Sequence, residues 1–214
     1  MTLVFGADEA GRGPILGPMT IAVVAVDKPA EKALAKLGVA DSKRFGSGNE
    51  ARQRRQDLAA QIITIVPHHR LRTVEVEEID HYTYRGLLNA LERRVVLELL
   101  DALKAPRHAR IICDGATMFA PLRAHYPNLQ ALNDGESAHL AVAAASIIAK
   151  DARDRAFHVI ATRYTQEFGP IKGGGYLNPA TKTFLSAYQQ RYGTLPPEAR
   201  RSWGATKQPN LSLF

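Results

Sequence analysis

The sequence predicts a single α/β domain built on a mixed β-sheet. A chain of 214 residues is long enough for one well-packed core and short for two. Hydrophobic residues make up 45% of it and charged residues 23%, which is ordinary for a globular protein. Short runs rich in Val and Ile come first, and later runs alternate with helical segments, as in α/β domains. Because no internal repeat or low-complexity linker interrupts the chain, we expect one domain over 1–206 and a tail over 207–214.

The amino-terminal part of the chain predicts three strands and two helices. Residues 20–26 and 62–66 (IITIV) are rich in Val and Ile, as strands are. The Gly and Pro residues between positions 11 and 18 favour a structured turn after the first strand. Asn49 is the expected N-cap of the second helix. The expected elements are strands at 3–5, 20–26 and 62–66, helices at 28–37 and 49–61, and a polar loop at 40–48.

The remainder of the chain predicts alternating helices and strands. Apolar residues recur at helical spacing between Tyr84 and Leu103, at Leu87, Leu88, Leu91, Val95 and Leu99. Pro179 is expected near the first position of the last helix. The expected helices are 84–103, 137–164 and 179–191, and the expected strands are 109–113 and 129–132.

The charge of the chain favours a polyanionic partner. Lys and Arg number 28 against 21 Asp and Glu, so the net charge is +7, and a basic surface gains affinity by neutralising phosphates. The alternative is a basic protein with no acidic partner. The single cysteine, Cys113, excludes an intramolecular disulfide and fits a reducing compartment. The apolar run 20–26 is too short to span a membrane, and no signal peptide is visible, so we expect a cytoplasmic protein.

Four acidic residues lie at expected ends of secondary-structure elements. Asp8 and Glu9 follow the first strand, and because adjacent strand residues face opposite sides, both reach one site only if the strand ends there. Asp114 follows a buried strand, and Glu136 opens an alanine-rich helix. Such carboxylates are the ligands that two hard divalent ions require. Taken singly, each acid is better explained as a turn or helix-start residue, and it is the joint pattern that favours a metal site.

Several motifs occur in the order found in one nuclease family. Residues 6–13 (GADEAGRG), 40–43 (ADSK), Asp114–Gly115 and 145–150 (ASIIAK) resemble ribonuclease HII. The carboxy-terminal stretches GGGYLNPATKTFL and PPEARRSW resemble the archaeal and eukaryotic branch of that family. The resemblance covers nearly the whole chain and implies a ribonuclease H-like fold. That fold is a central mixed five-stranded sheet flanked by helices, with a carboxy-terminal helical segment.

The resemblance also implies a metal site with catalytic carboxylates. Carried over by position, Asp8, Glu9, Asp114 and Glu136 bind two Mg²⁺ or Mn²⁺ ions. The fourth acid departs from the ribonuclease HII pattern, in which it is usually aspartate. The stretch 136–149 instead resembles ribonuclease HIII, whose fourth acid is glutamate. Asp134 is the alternative ligand, but the ten-residue spacing from Glu136 to Ser146 matches the family pattern.

The substrate implied by the resemblance contains RNA joined to or paired with DNA. The expected activity is endonucleolytic cleavage of the RNA strand of RNA/DNA hybrids and 5′ to single ribonucleotides in duplex DNA, leaving 5′-phosphate and 3′-hydroxyl ends. The alternatives are a ribonuclease HIII-like enzyme acting mainly on long hybrids, or a hybrid-binding module with weak catalysis. In the first alternative the arginine motif at Arg12 would be absent. The four intact acids argue against the second.

Two groups of residues are expected to contact this substrate. The resemblance implies that the backbone of Gly11, Arg12 and Gly13 contacts the 2′-hydroxyl and that Tyr176 packs on the sugar. The alternative for Tyr176 is a tyrosine at the edge of the core. Phosphate contacts are expected from Ser42, Lys43, Ser146, Lys150 and Arg153, of which the last three share one helix face. A solvated basic stripe on that face is the alternative.

The last seven residues, QPNLSLF, resemble a peptide that binds DNA sliding clamps. Gln208, Leu211, Leu213 and Phe214 are the expected anchors. An extended polar tail ending in Leu and Phe gains stability when those side chains enter a pocket. The alternative is that Leu213 and Phe214 pack back onto the domain. We expect a monomer that binds a clamp through this tail.

Overall fold

The computed structural model describes residues 3–39 and 48–203, except the side chain of Asn49. The strands are β1 (Val4–Ala10), β2 (Met19–Val26), β3 (His69–Val74), β4 (Arg110–Asp114) and β5 (Leu129–Leu132). The helices are α1 (Lys28–Leu37), α2 (Asn49–Ile65), α3 (Val76–Thr83), α4 (Leu88–Ala102), α5 (Ala116–Phe119), α6 (Gly135–Ala138), α7 (Leu140–Phe168) and α8 (Pro179–Tyr192), with a 3₁₀ turn at Ala120–Ala124.

The five strands form one mixed sheet in the order β3-β2-β1-β4-β5. Strand β1 is antiparallel to β2 and parallel to β4, and β4 is parallel to β5. The predicted mixed five-stranded sheet is therefore confirmed. Because β1, β4 and β5 run in one direction, their carboxyl ends meet at the same edge of the sheet, where ligands bind in open α/β sheets.

The described chain packs as two compact units. Among the described residues, the first contains 3–10, 20–39, 48–72 and 92–152, and the second contains 11–19, 73–91 and 153–203. Helices α4 and α7 each contribute residues to both units. The earlier expectation of one domain over 1–206 with a separate tail stays a prediction.

Small residues let α7 pack closely on the sheet in the first unit. The start of α7 is rich in buried alanine, including Ala141 and Ala145. On the facing strand β1, a Cβ atom at Gly6 would overlap the backbone of Ala141. Larger side chains fill the rest of this core, among them Leu58 and Ile62 of α2. Burying each of these contributes about 1.5–3 kcal/mol to the free energy of folding.

The segment Ile62–Val66 is not the predicted third strand. Residues up to Ile65 complete α2, and the third strand is His69–Val74. The Val- and Ile-rich composition favoured a strand, but the burial follows helical spacing. Leu58, Ile62 and Val66 are buried whereas Ile63 is exposed. Tertiary packing of one helical face therefore overrides the local strand propensity.

Other predicted boundaries shift by a few residues. Strand β1 is longer than the predicted 3–5. The predicted helix 84–103 begins at Leu88, and a separate helix, α3, precedes it. The predicted helix 137–164 is divided into α6 and α7, with His139 between them. Helix α2 begins at Asn49, so the N-cap is Gly48 rather than Asn49.

The other predicted elements match closely. Helix α1 has the predicted bounds, with Asp27 as its N-cap, and α8 begins at Pro179 with Asn178 as its N-cap. Strand β5 also has the predicted bounds, and β4 is displaced by one residue. Among the described residues, no helix is long and apolar enough to cross a membrane.

Candidate active site

The carboxylates of Asp8 and Asp114 lie on adjacent parallel strands. The register pairs Ala7 of β1 with Cys113 of β4, so the next residue on each strand is an aspartate. Asp114 is the last residue of β4. Asp8 is only 5% exposed and accepts a hydrogen bond from the backbone N–H of Glu9 at 2.8 Å. The prediction that these two acids meet at the carboxyl end of the sheet is supported by this register.

The sequence predicted that the first strand ends at Asp8 and Glu9, and this prediction is wrong. Strand β1 continues to Ala10, with Asp8 paired to Ala22 and Glu9 paired to Ile21 of β2. The two side chains therefore leave opposite faces of β1, and Asp8 is buried while Glu9 is half-exposed. The two residues are nevertheless close enough for the negative charge of Glu9 to raise the pKa of Asp8.

Burial and charge raise the pKa of Asp8 to about 8. The largest cause is loss of hydration, followed by the negative charge of Glu9. The nearby Ser146 hydroxyl, the ammonium of Lys150 and the Glu9 backbone N–H lower the pKa of Asp8. Without a bound cation, the Asp8 carboxyl is therefore mostly protonated at neutral pH.

The loop after β5 brings Glu136 into the same network. The backbone N–H of Gly135 donates to the Oδ1 atom of Asp114 at 2.9 Å. The Oε2 atom of Glu136 accepts from the Ser146 hydroxyl at 2.7 Å and from the Lys150 ammonium at 2.9 Å. Since Ser146 and Lys150 also act on Asp8, these two residues of α7 connect Glu136 with Asp8.

Asp134, the alternative fourth acid, has a different environment. It is exposed and adopts a left-handed backbone conformation with φ of 58°, whereas Glu136 is mostly buried. Asp134 lies in the turn that directly precedes Gly135, the residue whose N–H donates to Asp114. The placement of the two acids therefore favours Glu136 as the residue that faces the other carboxylates.

The Cys113 thiol lies near enough to three of the acids for their charges to act on it. Burial raises the pKa of Cys113, and the charges of Asp8, Glu9 and Asp114 raise it further. Three of the four predicted acids thus act on one buried atom. The thiol remains protonated, which supports the predicted packing role and not a nucleophilic one.

The donor set fits a hard divalent cation. Among the residues that the structure describes, no three His, Cys, Asp or Glu side chains already form a metal-binding group. Every candidate ligand is nevertheless a carboxylate, the donor that Mg²⁺ and Mn²⁺ prefer. Their mutual repulsion is reduced by the Lys150 ammonium on Glu136, and the raised pKa of Asp8 favours its neutral form. Bound cations would supply the same compensation.

In the second unit, the structure brings Gly13 and Tyr176 together. A Cβ atom at Gly13 would lie 3.0 Å from Cε1 of Tyr176, so only glycine allows the ring this close. The Tyr176 side chain is 56% exposed, which leaves its ring accessible to a ligand. The exposed guanidinium of Arg12 donates to the Oδ1 atom of Asn89 at 2.5 Å.

Ser146, Lys150 and Arg153, predicted to contact phosphates, do not form the solvated basic stripe that was the alternative, because each of them binds other groups of the protein. Ser146 is fully buried, and both Ser146 and Lys150 donate to Glu136. The guanidinium of Arg153 is buried, and its Nη2 atom donates to the carbonyls of Leu16 at 2.6 Å and Gly174 at 3.1 Å. Burial lowers the pKa of Arg153 to about 10, so it remains charged near neutral pH. These contacts favour a structural role for Arg153.

Some predicted site residues lie outside the described part of the chain. These are Ser42, Lys43, Gln208, Leu211, Leu213 and Phe214. Conversely, the structure shows three residues near the glycine motif that the sequence analysis did not assign to the site, namely Asn89, Arg200 and Trp203. The last two belong to the PPEARRSW stretch, whose family resemblance was the available signal.

The fold and the carboxylate edge together define an enzyme of the ribonuclease H-like class. Comparison with known proteins gives the family. The sequence profile of ribonuclease HII matches residues 5–206. Ribonuclease HII of Thermococcus sibiricus is 32% identical over 211 residues, which cover 95% of this chain and 89% of that protein. The chain belongs to the ribonuclease HII family. It is an endonucleolytic phosphodiester hydrolase that acts on RNA/DNA hybrids.

Solved structures of related enzymes have the same fold. In the complex of PCNA with ribonuclease HII from Archaeoglobus fulgidus, the similar chain has a TM-score of 0.76 and 28% identity, covering 95% of this chain and 94% of that one. The Bst ribonuclease HIII in complex with Mn²⁺ has a TM-score of 0.73 and 25% identity, covering 96% of this chain and 68% of that one. The predicted ribonuclease H-like fold is thereby confirmed.

Proposed function

We propose that this enzyme cleaves the phosphodiester bond on the 5′ side of a ribonucleotide, whether it lies in an RNA/DNA hybrid or alone in duplex DNA. The observation that carries the proposal is the carboxylate network at the carboxyl ends of β1 and β4. Asp8 and Asp114 lie side by side there, and Glu136 is connected to Asp8 through Ser146 and Lys150.

In this proposal, Asp8, Glu9, Asp114 and Glu136 hold two Mg²⁺ or Mn²⁺ ions. Glu9 is included although its strand continues, because its charge acts both on Asp8 and on the Cys113 thiol beside the site. When bound there, such ions would supply activation of a water for in-line attack and stabilisation of the leaving oxygen, the chemistry that gives 5′-phosphate and 3′-hydroxyl ends. The Mn²⁺ complex of the related ribonuclease HIII supports this choice of metals. Bound cations would favour the ionised form of Asp8, whose pKa is raised by burial and by the charge of Glu9.

Lys150 and Ser146 orient the fourth ligand. Both donate to the same oxygen, Oε2, of Glu136. A carboxylate held by two donors loses less conformational entropy when it binds a cation. Lys150 is 38% exposed, so its ammonium would also be accessible to a phosphate of the substrate.

Recognition of the ribose is assigned to the second unit. The loop Gly11–Gly13 provides a backbone that a nucleotide can approach closely, and Tyr176 lies against Gly13 with an exposed ring. A sugar packed on this ring would direct its 2′-hydroxyl to the loop, and this group distinguishes RNA from DNA. Ser42 and Lys43 are proposed to contact phosphates.

We also propose that residues 208–214 bind a DNA sliding clamp. The ribonuclease HII from Archaeoglobus fulgidus was solved in complex with PCNA, and the tail QPNLSLF of this chain has the pattern described above. A tethered clamp would raise the local concentration of the enzyme on newly replicated DNA.

The decisive experiment uses three duplexes of equal length: one with a single ribonucleotide, one long hybrid and one of DNA alone. With Mg²⁺ or Mn²⁺ we expect a cut 5′ to the single ribonucleotide and cuts along the hybrid, with the DNA duplex intact. Cleavage of the hybrid alone would favour the ribonuclease HIII-like alternative. Cleavage of the DNA duplex would contradict ribose recognition altogether.

Matched variants test the fourth ligand. Asp114→Asn and Glu136→Gln should abolish cleavage while binding of the hybrid persists. Asp134→Asn is the control, because Asp134 is exposed and Asn tolerates its left-handed conformation. An inactive Asp134→Asn together with an active Glu136→Gln would transfer the assignment to Asp134.

A further inference from the structure

The carbonyl groups of the Gly11–Gly13 loop all accept hydrogen bonds from one carboxy-terminal segment. Arg200 donates from Nη2 to the Gly11 carbonyl at 2.6 Å and from Nη1 to the Arg12 carbonyl at 2.9 Å. The indole Nε1 of Trp203 donates to the Gly13 carbonyl at 2.9 Å. Three consecutive carbonyls are therefore directed at two side chains.

Arg200 is built into the protein interior. Its side chain is 1% exposed, and its Nε atom donates to a further carbonyl, that of Gly17, at 2.9 Å. Its guanidinium carbon lies 4.9 Å from the centre of the Trp203 ring, in cation–π geometry. A buried guanidinium is costly unless its donors are satisfied, so this arrangement is specific to arginine.

Because peptide groups are planar, these contacts also fix the directions of the N–H groups in the loop. In a trans peptide, the carbonyl of one residue and the N–H of the next point in opposite directions. Holding the carbonyls of Gly11 and Arg12 toward Arg200 therefore directs the N–H groups of Arg12 and Gly13 away from it. The Gly13 carbonyl is followed by Pro14, which has no N–H group.

We propose that Arg200 and Trp203 are positioning residues for ribose recognition: Arg200 directs the amides of Arg12 and Gly13 toward the 2′-hydroxyl, and Trp203 fixes the end of the loop at the Gly13 carbonyl. The inference rests on the proposed function of this loop. A loop already fixed in the binding conformation loses less entropy when the nucleotide docks, so the two residues control the preference for RNA over DNA.

Trp203→Phe is the sharpest test. It removes the one hydrogen bond to Gly13 and keeps an aromatic ring beside Arg200. The backbone pairing of this segment is preserved, because Arg200 N–H donates to the Ile15 carbonyl and Gly17 N–H donates to the Glu198 carbonyl, both at 2.8 Å. Arg200→Lys is the second variant, since it retains the charge without the planar set of donors.

The readout is the ribose-dependent part of binding. In a cleavage-deficient Asp8→Asn background, affinity is measured by fluorescence anisotropy for a duplex with one ribonucleotide and for the same duplex of DNA alone. We expect Trp203→Phe to lower the ratio of the two affinities about three- to tenfold, the effect of one hydrogen bond. In the active enzyme, KM for the single-ribonucleotide duplex should rise more than kcat falls.

Arg201→Gln is the matched control. Arg201 is the exposed neighbour of Arg200. Its replacement removes one positive charge and should lower the affinity for both duplexes by the same factor. An unchanged affinity ratio in both Trp203→Phe and Arg200→Lys, even with a lowered melting temperature, would overturn the inference and leave a purely structural role. If the unsubstituted enzyme itself showed no ribose preference, the proposed function would fail instead.

Discussion

Replacing Asp8 by asparagine should inactivate the enzyme and, at the same time, stabilise its metal-free form. Asp8 is buried, lies close to Glu9 and has its pKa raised from 3.8 to about 8. Asparagine has nearly the same shape and carries no charge. The substitution therefore removes a proposed metal ligand and also removes a group that disfavours the folded state when no cation is present.

The size of the effect follows from the pKa shift. Below about pH 4, Asp8 is protonated in both the folded and unfolded states and contributes no difference. Between about pH 4 and pH 8 the unfolded chain loses this proton and the folded protein keeps it, which lowers the free energy of unfolding by about 1.4 kcal/mol per pH unit. The cost reaches about 4 kcal/mol near pH 7 and levels off above the folded pKa of about 8.

Urea unfolding in the presence of a chelator measures this difference. The free energy of unfolding of Asp8→Asn should exceed that of the wild type by a margin that grows between about pH 5 and pH 8. Adding Mg²⁺ should narrow the margin, because only the wild type gains the full binding energy. Asp134→Asn is the control, since that residue is exposed. A margin that does not depend on pH, or a variant less stable than the wild type, would refute the electrostatic account of Asp8.

Three further predictions concern other parts of the protein. Lys150→Met removes one of the two donors that orient Glu136, so calorimetry should show Mn²⁺ binding about tenfold weaker; tighter binding would show that the ammonium only competes with the cations. Gly13→Ala places a methyl group 3.0 Å from the Tyr176 ring and should lower cleavage at single ribonucleotides more than tenfold with unchanged metal affinity; a parallel fall in metal affinity would contradict this separation. Deleting 208–214 should abolish capture by immobilised clamp and leave cleavage of a short hybrid unchanged, and retained capture would reject the tail assignment.

The structure could be predicted from the sequence where a local pattern has a single physical explanation. The bounds of α1 and α8 follow from Asp27 and Asn178, whose side chains accept hydrogen bonds from the first turns of their helices. The edge of the sheet that carries Asp8 and Asp114 was also predictable, because each acid ends a run of apolar residues in β1 or β4.

The structure could not be predicted from the sequence where contacts between distant residues determine the conformation. The run Ile62–Val66 has the composition of a strand, but Ile62 packs in the core as part of α2. Arg153 resembles a phosphate ligand in sequence, yet its guanidinium is buried against the carbonyls of Leu16 and Gly174. Positioning by Arg200 could not be derived either, because its partners lie more than 180 residues earlier in the chain.

The contact between Gly6 and the backbone of Ala141 has a consequence for the chemistry as well as for packing. Gly6 precedes Asp8 by two residues, and the helix that it touches carries Ser146 and Lys150 farther along. The smallest possible side chain thus defines the gap across which these groups act on Asp8. An added methyl group at position 6 would widen that gap, although it reaches no reacting atom. Substitution at this core position is therefore limited by the spacing of the active-site groups.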